Sequence, residues 1–118
     1  MGFFERFPTM DSAVAAALPK QRRLYYNGRW QEPRGGYATT ISPGTGRSLG
    51  EVAEANAGDV NAAVEAAHAA FRHWRQVKPL ERGAYLKRIA QALRDNAGEL
   101  ALLDAANCGN PVSAMLRD

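Results

Sequence analysis

The chain has a single cysteine, two histidines and no apolar run that approaches the ~20 residues a membrane-spanning helix requires. One thiol, Cys108, excludes an internal disulfide and fits a reducing compartment. The apolar stretch Ala13 to Leu18 is too short for a secretory leader with its cleavage site. Arg6 stands where a Met-Gly myristoylation signal needs Ser or Thr. A cytoplasmic chain without a membrane anchor is expected. His68 and His73 are five apart, which departs from the i, i+4 spacing that lets two helical imidazoles share a metal. Surface or packing roles are expected of both.

Complete chemical fingerprints are missing too. Gly44-Thr45-Gly46 supplies a G-x-G, but Leu49 takes the place of the third glycine and no helix follows directly, so it reads as a turn. Cys108 lies near a helix end with no basic neighbour in sequence, a poor setting for a nucleophile. It reads as a buried structural thiol or a cap residue, and no catalytic residue is assigned. Acidic residues are scarce before residue 48, where Glu5, Asp11 and Glu32 face Arg6, Lys20, Arg22, Arg23, Arg29, Arg34 and Arg47. Such a stretch suits nucleic acid or an acidic surface. No binding motif accompanies it, however, and the net charge is only +3, so neither nucleic acid nor membrane is expected as a partner. Arg72, Arg75, Lys78, Arg82, Lys87 and Arg88 are interspersed with Glu65, Glu81, Asp95 and Glu99 and read as a solvated face.

What is present is an ordinary globular composition, 46% hydrophobic, organised around Asp59 to Gly109. Val60, Ala63, Val64, Ala67, Phe71 and Trp74 fall three or four apart and predict one apolar helical stripe. Leu86, Ile89, Ala90, Leu93 and Ala97 repeat the spacing after Lys78-Pro79, which predicts an antiparallel helical hairpin with Phe71 and Trp74 in its seam. Asp59 reads as the first helix's N-cap, Gly98 as an interruption, Gly109 as a C-cap, Asn110 as an N-cap and Pro111 as the start of a last helix.

Upstream, Asn27-Gly28 between Leu24-Tyr25-Tyr26 and Arg29-Trp30 predicts a tight β-hairpin. Tyr37 to Ile41 and Ser48 to Ala55, joined by the turn around Pro43, complete a small meander. Residues 1–21 read as a flexible arm, with one or two helical turns capped by Asp11 or Ser12. The fold expected is therefore α+β: an antiparallel meander, a helical hairpin and a helix stub whose apolar face has nothing after it to pack against.

The order of these features resembles the N-terminal portion of the aldehyde dehydrogenase superfamily, over about Tyr25 to Asp118. The likeness rests on Tyr26-Asn27-Gly28-Arg29-Trp30, Ile41-Ser42-Pro43-Gly44-Thr45-Gly46, and Glu51 to Ala55 with Asp59-Val60. It continues through Ala63-Val64, Ala70-Phe71, Trp74, Glu81-Arg82, Leu86 to Leu93 and Glu99-Leu100-Ala101 to Asn107-Cys108-Gly109-Asn110-Pro111. Ser42 and Asn110 depart from the family's usual Asn and long polar residue, and Asn107-Cys108 from its usual acidic residue and Asn.

The resemblance implies that residues 22–118 are an incomplete aldehyde dehydrogenase domain, at the start of that α/β fold. It implies oxidation of an aldehyde to a carboxylic acid by NAD or NADP, with the cysteine, the glutamate and the cofactor cleft lying beyond this stretch. The chain alone is expected to be inactive and to bind no cofactor. Several family members hold a monovalent cation on backbone oxygens at the positions of Ile41 and Asn107. Expected partners are the remainder of the domain or a second copy, through exposed apolar faces. The alternative is a free-standing, non-enzymatic helical-hairpin module that binds a protein partner.

Overall fold

The computed structural model describes residues 4–7 and 9–116. The extremities of the expected arm and stub, residues 1–3, 117 and 118, together with Pro8, lie outside the described residues. A short 3-10 turn, Phe4–Arg6, precedes helix α1 (Met10–Ala17). Strands β1 (Leu24–Tyr26), β2 (Arg29–Gln31), β3 (Tyr37–Ile41) and β4 (Ser48–Ala53) follow. Helices α2 (Ala57–Trp74), α3 (Pro79–Asp95), α4 (Ala97–Cys108) and α5 (Val112–Met115) complete the order. The described residues form two compact units. One takes the N-terminal segment through Lys20, Thr40–Gly50 and Lys87 onward; the other takes Gln21–Thr39 and Glu51–Leu86. No helix is long and apolar enough to cross a membrane, among the described residues.

In the second unit the chain reverses at Asn27 and Gly28, whose φ values of 54° and 72° are the left-handed pair that a two-residue hairpin demands. That turn fixes the antiparallel register Leu24↔Gln31, Tyr25↔Trp30 and Tyr26↔Arg29. Tyr25 and Trp30 meet edge-on across the strands, ring centroids 4.9 Å apart. Strands β3 and β4 form a separate pair, so the expected single meander is in fact two two-stranded sheets. Arg23 and the Tyr37 hydroxyl meet the Glu32 carboxylate at 2.7 Å and 2.9 Å, at the exit from the first hairpin. That hydrogen bond to Glu32 is the main cause holding the Tyr37 phenol above its ordinary pKa.

The first unit contains the tightest packing. Helix α1 is capped at Thr9, not at Asp11 or Ser12. Thr9 is the N-cap, and its side chain accepts from the Ser12 amide while Ser12 reaches back to the Thr9 amide in a capping box. Its alanine face is what the rest of the unit closes on, because Ala13 and Ala17 are buried together with Leu102 of α4. Small side chains let the two helices approach closely, and Phe7, Val14 and Val112 pack around the cluster. Residues 10–17 thus have a packing partner that the sequence did not disclose.

Helices α2 and α3 carry the predicted stripes, but not a closed seam. Val60, Val64 and Phe71 are 51%, 61% and 53% exposed, and Leu86, Ile89 and Leu93 are 65%, 58% and 55% exposed. The expected burial of Phe71 and Trp74 is therefore corrected. Trp74 keeps an edge contact with Tyr85 at 5.5 Å, and Arg75 lies over the Phe71 ring at 5.9 Å. Periodicity of 3.6 says which face of a helix is apolar, not which surface covers it.

Leu102 and Phe71 should respond unequally to truncation. Leu102→Ala, at 2% exposure, is expected to cost about 2–5 kcal/mol, whereas Phe71→Ala is expected to cost about 1 kcal/mol or less. Urea denaturation of both variants checks this, and equal losses would contradict the placement of the core.

Candidate functional site

Two places concentrate the chain's polar geometry, one in each unit. In the second unit it is the start of α2. Asn56, not Asp59, is the N-cap: its side-chain oxygen accepts from the Gly58 and Asp59 amides at 2.9 Å and 3.1 Å. Asp59 is the N3 residue of the capping box and returns a bond by accepting from the Asn56 amide at 3.1 Å. The same oxygen, Oδ2, accepts from the Arg34 amide at 2.9 Å, which joins the loop after β2 to the helix.

Asp59 is 2% exposed. Its Oδ1 has no hydrogen bond, but Arg34 Nε lies 3.6 Å away, so the buried charge is compensated by an ion pair. Gly35 is equally constrained. A Cβ there would press on the Glu54 carbonyl oxygen, and the Glu54 amide donates to Gly36 O at 2.9 Å. Beside this clamp an apolar cleft of about 390 Å³ runs between β1 and α2, lined by Leu24, Tyr26, Val60, Ala63, Val64 and Ala67 among others.

In the first unit the turn after β3 meets the end of α4. The Gly46 amide donates to Ser42 O at 2.8 Å and the Ser42 amide donates to Arg47 O at 2.9 Å, which closes the turn tightly. The Gly44-Thr45-Gly46 segment leads into strand β4, as expected of a turn. Gly109 ends α4 in the left-handed conformation at φ 80°, and its amide donates to Ala105 O at 2.9 Å. A Cβ at Gly109 would also sit 3.1 Å from Pro43 Cγ, a tight contact that adds to the demand of the positive φ.

The adjoining cavity, about 460 Å³, is lined by residues of α1, of this turn and of the α4 terminus. Arg47 spans its rim to Asp11, Nη2 to Oδ1 at 2.9 Å. That pair is exposed and worth well under about 1 kcal/mol.

Of the residues singled out from sequence, Ile41 ends β3 and Asn107 lies in the last turn of α4; both are exposed. Their neighbours Ser42 and Ala106 line the same cavity. Cys108 is exposed, which corrects the buried-thiol reading, and its thiol donates to Asp104 O at 2.8 Å. His68 and His73 are exposed on α2. Among the described residues no three His, Cys, Asp or Glu side chains are grouped to hold a metal. Asp59 is the residue that sequence reasoning placed imperfectly. The Asn56-x-x-Asp59 spacing signals a capping box, but nothing local signals the bond to Arg34, 25 residues away.

Comparison with known proteins decides the family. The aldehyde dehydrogenase family model matches residues 30–118. The chain belongs to the aldehyde dehydrogenase family. The aldehyde dehydrogenase tropH of Talaromyces stipitatus is 44% identical over 106 residues, covering 89% of this chain and 21% of the relative. Betaine aldehyde dehydrogenase 1 of Oryza sativa subsp. japonica is 36% identical over 112 residues, covering 90% and 22%.

Among solved structures, the P. syringae indole-3-acetaldehyde dehydrogenase AldA, a mutant in complex with NAD+ and IAA, superposes with a TM-score of 0.82. It is 35% identical, over 93% of this chain and 23% of that one. HpcC of Thermus thermophilus gives a TM-score of 0.83 at 28% identity, over 92% and 21%. The chain therefore spans about a fifth of the length of the aldehyde dehydrogenases it matches. Its α+β arrangement is the one those folds contain.

In this aldehyde dehydrogenase segment the buried Asp59 clamp should contribute measurably to stability. Asp59→Ala leaves the Arg34 and Asn56 amides without their acceptor and is expected to cost about 2 to 4 kcal/mol. Asp59→Asn, which keeps one acceptor oxygen, should cost less. Thermal melts of the pair test this, and an Asp59→Ala variant as stable as the parent would refute the clamp.

Proposed function

We propose that this chain is an N-terminal portion of an NAD(P)-dependent aldehyde dehydrogenase of the cytoplasm, and that it contributes packing surface, not reacting groups, to the oxidation of an aldehyde to its acid. The observation that carries this reading is exposure. Val60, Val64 and Phe71 on α2 and Leu86, Ile89 and Leu93 on α3 are each more than half exposed. Their spacing marks one apolar face on each helix. The lone thiol suits a reducing compartment.

NAD or NADP, bound elsewhere in the whole enzyme, supplies the hydride acceptor. The glycine turn of this chain does not fit a dinucleotide: it opens onto strand β4 instead of the helix N-terminus that receives a pyrophosphate. No step of the reaction is assigned to residues here. Purified chain should give no aldehyde-dependent reduction of NAD or NADP above a protein-free blank, by absorbance at the nicotinamide band. Turnover that vanished on Cys108→Ser would refute the reading.

The proposed partner is the remainder of the domain, seated on the open stripes and on the cleft between β1 and α2. Contiguous apolar patches of this kind favour association when left bare. The isolated chain is therefore expected to bind a hydrophobic dye or to self-associate in light scattering. A sharp monomer with no dye binding and a cooperative melt would favour the free-standing module, which family membership over most of the chain otherwise disfavours.

A monovalent cation at Ile41 and Asn107 completes the proposal. The last carbonyls of a helix lack intrahelical partners, Asn107 belongs to that turn of α4, and oxygen donors suit a hard cation. If the site forms in this chain, melting in potassium or sodium chloride should exceed melting in choline chloride at equal ionic strength, and Gly109→Ala should abolish the difference. Identical melts of the parent in all three salts would count against it.

A further inference from the structure

We draw no further inference here: the strongest candidate, the apolar cleft between β1 and α2 beside the Asp59 clamp, carries nothing beyond the domain contact already proposed, because nothing in the structure shows what else covers it and the buried Oδ1 of Asp59 is already compensated by Arg34.

Discussion

A single carboxylate oxygen, Oδ2 of Asp59, accepts from the amides of both Asn56 and Arg34 and so fixes where α2 begins and where the loop after β2 ends. Few side chains are buried in either unit, so the backbone groups at element ends must be satisfied locally or face water. The same economy recurs at Thr9 and Ser12 at the start of α1, and at Gly109 where α4 stops. Packing then acts on ends already in place. Leu102 meets the alanine face of α1, the helix that the Thr9 cap starts.

The parts of the fold that were legible in the sequence are those decided by one or two residues. Asn27-Gly28 demands positive φ whatever surrounds it, Pro79 opens α3, and Gly109 closes α4. Elements decided by distant partners were not legible. Alanines at 13 and 17 carry no strong hydrophobic signal, yet they are buried because Leu102 lies against them. Helix starts slipped by a few residues for a related reason. Asn56, Asp59, Thr9 and Ser12 are all competent caps, and only the returned hydrogen bond tells N-cap from N3.

The candidate cation positions were legible only through family likeness. Backbone oxygens leave no trace in side-chain chemistry, so Ile41 and Asn107 look ordinary in composition and spacing. The structure adds that the segments bearing them belong to one unit, with Gly109 against Pro43 joining the α4 end to the turn after β3. The departures at Asn107 and Cys108 change side chains that are exposed, and they leave the helix termination by Gly109 intact.

The open stripes of α2 and α3 bear directly on how this chain holds its shape. An apolar stripe facing water gains nothing from hydrophobic burial, while each ordered residue costs roughly 1–2 kcal/mol of backbone entropy. Val60, Val64, Phe71, Leu86, Ile89 and Leu93 keep strict helical spacing although each is more than half exposed. Their polar neighbours Glu65, Arg72, Glu81 and Lys87 are exposed as well. Amphipathic helices of 18 and 17 residues are marginal in water without tertiary packing. The stripes are therefore surfaces that the chain's own packing leaves open. On the proposed reading their contact is with the rest of an aldehyde dehydrogenase domain, and the clamp at Asp59 keeps the start of α2 aligned until the contact forms.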